Sequence, residues 1–83
     1  MASKIIIYSS TTCQPCRVLS LRLDRAGISH DVIKLDTDAD ALAALKARLG
    51  VDIVHTPTVE VDGQIVMQGL DGDAIRDLIE AHS

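Results

Sequence analysis

The chain has 83 residues and a net charge of −4, enough for one domain (1–83) near the lower size at which a single core folds alone. Hydrophobic residues make up 47% of it, yet Tyr8 is its single aromatic, so the core must be built from Ile, Leu, Val and Ala. The acidic balance argues against a nucleic-acid surface, and no apolar run approaches the roughly 18 residues a membrane span requires. The opening "MASKIII" passes at once into a strand-like run. It is too short for the apolar region and cleavage site of a signal peptide, so the expected location is the cytoplasm. A purely structural disulfide is rare in that reducing compartment, which bears on the two cysteines.

The first element is "KIIIY", residues 4–8, a continuous β-branched run of the kind that forms a strand buried on both faces. From Gln14 to Ala26, Cys16, Leu19, Leu23 and Ala26 recur on one helical stripe, with Gly27 as the stop. "HDVIKL", residues 30–35, suits a second strand. "DTDADALAALKARLG" begins with acids suited to a helix N-terminus, carries Leu42, Leu45 and Leu49 on one face and stops at Gly50. Its acids read as a solvated cap, with a partner-docking surface as the lesser alternative. "PTVEVDGQIVM", residues 57–67, is a pair of short strands around Asp62-Gly63, a strong hairpin signal. "DGDAIRDLIEAHS" closes the chain as a helix with Ile75, Leu78 and Ile79 facing inward.

The order is β-α-β-α-β-β-α. Its first strand–helix–strand unit is expected to be parallel with a right-handed crossover, and the hairpin to add an antiparallel edge. This is the minimal thioredoxin-like α/β layout, a four-stranded mixed sheet with helices on both faces.

Cys13 falls at the junction of loop and helix, and Cys16 one turn later. N–H groups at a helix N-terminus lack intrahelical partners and carry about half a positive charge, which favours a thiolate over a thiol. Arg17 adds a cation if it folds back over the site, and otherwise is a plain exposed helix residue. Pro15 is tolerated because its missing N–H belongs to the unpaired first turn. The i, i+3 spacing brings the two sulfurs within bonding reach. Cys13, expected at an exposed lip, is the attacking thiol, and Cys16 on the buried stripe resolves the mixed disulfide. A Cys-x-x-Cys pair beside a βαβ pattern in a cytosolic chain reads as a thioredoxin-like redox motif. Two rivals remain: a structural bond, which would stabilise little across so short a loop, and half a zinc site, for which His30, His55 and His82 are scattered singly.

Thr56-Pro57 is the second signal. A proline opening a strand is ordinary, and a trans bond is the plain reading. In this topology, however, the loop rises beside the helix start carrying Cys13, where a cis bond would offer the Thr56 backbone to an extended substrate.

Taken together, Tyr8-Ser9, the spacing to Cys13-Gln14-Pro15-Cys16, Thr56-Pro57, the Asp62-Gly63 hairpin and the Gly69–Asp73 turn resemble the glutaredoxins and glutaredoxin-like redoxins. The resemblance covers essentially the whole chain. It implies a thiol-disulfide oxidoreductase without a tightly bound cofactor, acting on protein disulfides or thiol-mixed disulfides, and nothing in the sequence asks for more than a monomer. Its electrons would come from a low-molecular-weight thiol (glutathione or mycothiol) or from an NADPH-dependent flavoprotein such as thioredoxin reductase, and ribonucleotide reductase is one conceivable target. Carried over by position, Cys13 is the nucleophile and Cys16 the resolving thiol. Tyr8, Gln14, Pro15, Arg17, His55, Thr56, Pro57, Gly69, Leu70 and Asp71 line the substrate groove. For Tyr8 the alternative is a strand-end residue half packed in the sheet, and for His55 a solvated bystander.

The chain also departs from the family's patterns. The basic residue common three positions before the first cysteine is Ser10 here, and the Gly-Gly-x-Asp-Asp turn is only partly matched by "GLDGD". "MQGLDG" stands where the redoxins that feed ribonucleotide reductase carry Trp-Ser-Gly-Phe-Arg-Pro, while "PTVEVDG" is similar to the mycothiol-linked redoxins. Two further activities stay open: a monothiol cycle that removes glutathione or mycothiol through Cys13 alone, and an Fe–S or metal-carrier module built on Cys13.

Overall fold

The computed structural model describes residues 3–82. Met1 and Ala2, on which the reading of the chain's start partly rests, and Ser83, at the end of the expected last helix, lie outside them. Seven elements follow in order: β1 (Ile5–Ser9), α1 (Gln14–Arg25), β2 (Asp31–Lys34), α2 (Ala39–Leu49), β3 (Thr58–Val61), β4 (Gln64–Gln68) and α3 (Gly72–His82). They form the expected β-α-β-α-β-β-α arrangement. The sheet order is β2-β1-β3-β4, with β1 parallel to β2 and antiparallel to β3, and β3 antiparallel to β4.

Helices α2 and α3 begin where aspartate side chains satisfy the unpaired backbone N–H groups. Asp38 caps α2, its carboxylate accepting the Ala41 N–H at 3.0 Å. Asp71 does the same for α3, accepting from the N–H groups of Asp73 (3.0 Å) and Ala74 (3.2 Å). At the hairpin, Asp62 and Gly63 both take positive φ, 50° and 87°, as a tight turn matching the strand twist requires.

Ile5, Ile7, Val59 and Met67 of the sheet join Leu19 and Leu23 of α1 and Ile75 and Leu78 of α3 in one aliphatic core. α1 and α3 therefore share a face. α2 covers the other face, where Leu45, Ala41 and Ala44 line a hollow with Tyr8 and Ile33.

The expectation that β1 is buried on both faces holds for one face only. Ile5, Ile7 and Ser9 are buried, whereas Ile6 and Tyr8 are half-buried. The cause is α2, whose alanine-rich side covers that face thinly, with Leu45 its one buried residue. A second departure lies in β4. The β3–β4 register shifts between Val59 and Glu60, so Val59 pairs with Met67 but Glu60 with Ile65. Val66 is the extra residue of a bulge, which sends Ile65 and Met67 to opposite faces despite their i, i+2 spacing. Met67 thereby reaches the core, and Val66 is left exposed.

Candidate active site

The site is assembled at the end of the sheet where β1 runs out toward α1. After Ser9 the chain turns, the Cys13 N–H donating to the Ser10 carbonyl at 3.2 Å, and α1 begins. Cys13 is the N-cap: its backbone is extended, its carbonyl accepts the Arg17 N–H at 3.3 Å, and its Sγ accepts the Cys16 N–H at 3.3 Å. Sulfur thus takes the place that a Ser or Asp oxygen fills at an ordinary cap. Gln14 and Pro15 form the exposed first positions of the helix.

Cys13 and Cys16 are joined in a disulfide, with their Cα atoms 5.3 Å apart. Cys16 lies on the buried stripe with Leu19, as its spacing predicts. Cys13 does not stand at an exposed lip. It is only 9% exposed, because its sulfur is folded back over the helix start and bonded to Cys16. Access comes instead through a cleft of about 190 Å³ lined by both cysteines, Ser10, Thr11, Arg17, Ser20, Val32 and Lys34. The loop is steadied from β2's side: the Thr11 N–H donates to Asp36 at 3.1 Å, and hydrogen bonding from Thr11 holds the Asp36 carboxyl below its ordinary value.

Thr56-Pro57 stands on the neighbouring strand. Tyr8 pairs with Thr58, so the start of β3 lies at the same end of the sheet as the β1–α1 turn. The Thr56–Pro57 bond is cis, and Pro57 is fully buried. The Pro57 carbonyl accepts the Gly69 N–H at 2.9 Å, and the Thr58 hydroxyl donates to the His55 carbonyl at 2.6 Å. Gly69 takes φ +84°, a conformation only glycine adopts freely, and a Cβ there would lie 3.5 Å from that of His55. The fold therefore gathers His55, Thr56, Pro57 and Gly69 into one ledge. Leu70 is exposed beside it, and Asp71 is occupied in capping α3.

Tyr8 is not brought to the cysteines. It points to the α2 face, where its hydroxyl donates to Glu60 at 3.1 Å. Burial first, and then the Glu60 charge, push the Tyr8 phenol above its ordinary value. Arg48 of α2 completes the group, donating to the Glu60 carboxylate and the Gly63 carbonyl. Neither Glu60 nor Arg48 stands out in the sequence as a site residue. The one signal was the acid's place inside the strand run "TVEV", where an ionised side chain can be buried only with a cation beside it.

Among the described residues no helix is long and apolar enough to cross a membrane. The glutaredoxin family model matches residues 5–66, three quarters of the chain. The "Gene 56 protein" of Mycobacterium phage D29 is 29% identical, over the whole of this chain and 90% of its own length. The crystal structure of the thioredoxin-like protein BC3987 superposes with a TM-score of 0.76 at 26% identity, over 89% of this chain and 97% of that one. The glutaredoxin-like NrdH-redoxin of Escherichia coli gives 0.74 at 24% identity, over 90% and 93%, a likeness of fold. With a Cys-x-x-Cys pair closed as a disulfide at the start of α1 and the family's model spanning β1 to β4, this chain belongs to the glutaredoxin family.

Proposed function

We propose that the protein is a dithiol oxidoreductase that reduces protein disulfides or thiol-mixed disulfides by cycling Cys13 and Cys16 between dithiol and disulfide. The observation that carries this reading is the placement of Cys13 as the N-cap of α1, with its sulfur bonded to Cys16 and accepting that residue's N–H. The same N–H and the helix dipole stabilise a thiolate at Cys13 once the bond is reduced. That thiolate attacks one sulfur of the substrate disulfide, forms a mixed disulfide and expels the first product thiolate. Cys16 then attacks the Cys13 sulfur, re-forms the intramolecular bond and releases the second.

The ledge of His55, Thr56, Pro57 and Gly69 is the substrate-backbone platform, and Leu70 its apolar rim. Gln14, Pro15 and Arg17 contact the substrate from the helix side. Tyr8 has no part in this groove, since its hydroxyl is bound to Glu60 on the other face of the sheet. The chain acts as a single domain, in the cytoplasm. Ser10 in place of the usual cation favours a flavoprotein such as thioredoxin reductase over glutathione as the electron donor.

The test is reduction of the oxidised protein by thioredoxin reductase with NADPH, by glutathione with its reductase and by mycothiol with its reductase, followed as NADPH loss. Turnover with the flavoprotein alone is expected. Turnover with a small thiol alone would overturn the donor assignment. Cys16→Ser separates the cycles: a dithiol enzyme stalls as the mixed disulfide, and retained turnover would mean a monothiol one. A coloured, dimeric protein after anaerobic purification would point to a cluster carrier instead.

A further inference from the structure

The cycle above requires Cys16 to lose a proton before it can attack, and Cys16 is 4% exposed in an aliphatic setting. One buried titratable group stands close by. His30, just before β2, has a side chain only 6% exposed, and its Nε2 lies 2.7 Å from the hydroxyl oxygen of Ser20. Its Nδ1 lies 3.0 Å from the Ile28 carbonyl oxygen. A carbonyl can only accept, so in the neutral ring Nδ1 carries the proton, and Nε2 accepts the Ser20 O–H.

Ser20 in turn lines the same cleft as Cys16. It is four residues further along α1, a spacing that puts Cβ atoms about 5–6 Å apart on one face. Helical side chains lean toward the N-terminus, which inclines the Ser20 hydroxyl over the turn that holds Cys16.

We infer that His30, acting through the Ser20 hydroxyl, is the proton acceptor for Cys16 in the resolving step. The inference rests on the dithiol reading. The Cys16 thiol passes its proton to the Ser20 oxygen, directly or through one water, while the Ser20 proton moves to His30 Nε2. The electron pair left on the Cys16 sulfur forms the bond to Cys13 Sγ, and the bond from Cys13 to the substrate sulfur breaks. The substrate leaves as a thiolate, and the imidazolium returns its proton to that thiolate or to solvent. Two protein thiols are thereby oxidised to one disulfide as one substrate disulfide becomes two thiols.

The charges around the ring suit a transient cation. Asp24 of α1 has a carboxylate oxygen 3.9 Å from Nε2, and Asp31 follows on β2. Lys4 and Asp31 line a small cavity together with His30, so an opposing charge and an acid share it. His30 is thus a positioning and proton-accepting residue that touches the reacting sulfur only through Ser20.

The test uses the reduced full chain mixed with excess 5,5′-dithiobis(2-nitrobenzoate) in a stopped flow. Each thiol's attack releases one coloured thionitrobenzoate, the first from Cys13 and the second from Cys16. In Ser20→Ala and His30→Gln the rate of the second phase relative to the first is expected to fall about a hundredfold near neutral pH, the lower side of what a positioned acid–base group supplies. Ser20→Thr, which keeps the hydroxyl, restores the ratio. The ratio of the two phases varies with pH in the wild type, and both relay-broken variants lose that dependence. An unchanged ratio and pH profile in Ser20→Ala, a substitution an α-helix tolerates, would overturn the relay. So would equal slowing of both phases, which marks a structural effect. Release of only one equivalent by the wild type would instead sink the dithiol reading on which the relay stands.

Discussion

Leu21 and Leu23 stand two residues apart on α1, and replacing each by Ala separates what the fold does from what composition does. Leu23 is 0% exposed in the core shared by the sheet, α1 and α3, whereas Leu21 is 55% exposed. Truncating a fully buried leucine removes its transfer free energy and leaves a cavity, together about 2–5 kcal/mol. Unfolding entropy near 2.1 cal/mol/K per residue gives about 170 cal/mol/K for 83 residues, so Leu23→Ala lowers Tm by about 12–29 °C. Leu21→Ala leaves the helix propensity nearly unchanged and removes little buried surface, so its effect stays within about 0.5 kcal/mol or 3 °C. Calorimetry or thermal circular dichroism on the oxidised proteins measures both. Equal losses in the two variants, or a Leu23→Ala loss below about 1 kcal/mol, would refute the assignment of α1's inner face and the seat of Cys16 upon it.

Cys13→Ser is expected to abolish disulfide reduction, while Cys16→Ser still attacks once and accumulates a mixed disulfide visible by intact mass. Asp71→Ala removes the carboxylate that caps α3 and costs about 1 kcal/mol in urea unfolding, with Asp71→Ser recovering most of it. Tyr8 has its folded value raised, so its contribution is fully present below pH 10 and is lost as pH rises through the folded value. Stability of the wild type accordingly falls more steeply above pH 10 than that of Tyr8→Phe, as alkaline unfolding curves will read. Asp36 has its folded value lowered, so its contribution is present above about pH 4 and lost as pH falls below it. Asp36→Asn flattens that acid limb, and an unchanged slope would mean that Thr11 does not hold the carboxylate in solution.

Local chemistry made much of this protein legible in one dimension. Strand runs, helical stripes, the Asp62-Gly63 turn and the glycine stops report preferences that each few residues satisfy among themselves, so the element order could be read directly. The cysteine pair was legible for the same reason: an i, i+3 spacing at a helix start is a local geometry, and Cys13 is indeed the N-cap.

What could not be read required contacts between distant segments. The β4 bulge arises from pairing with β3 and sends Met67 to the core, although period-two alternation would place it beside Ile65. Tyr8 stands one residue before Ser9 at the site, yet strand alternation turns it to the opposite face, where Glu60 and Arg48 hold it. Cys13 is buried rather than exposed because its sulfur is bonded back to Cys16 over the helix start. His30 meets Ser20 only because the parallel crossover lays the start of β2 along α1. Sequence by itself determined which elements form and where the thiols lie, because those choices are settled within a turn of helix or a few residues of strand. Tertiary structure alone decided which side chains surround the thiols, because faces, register and burial exist only once the chain has packed against itself.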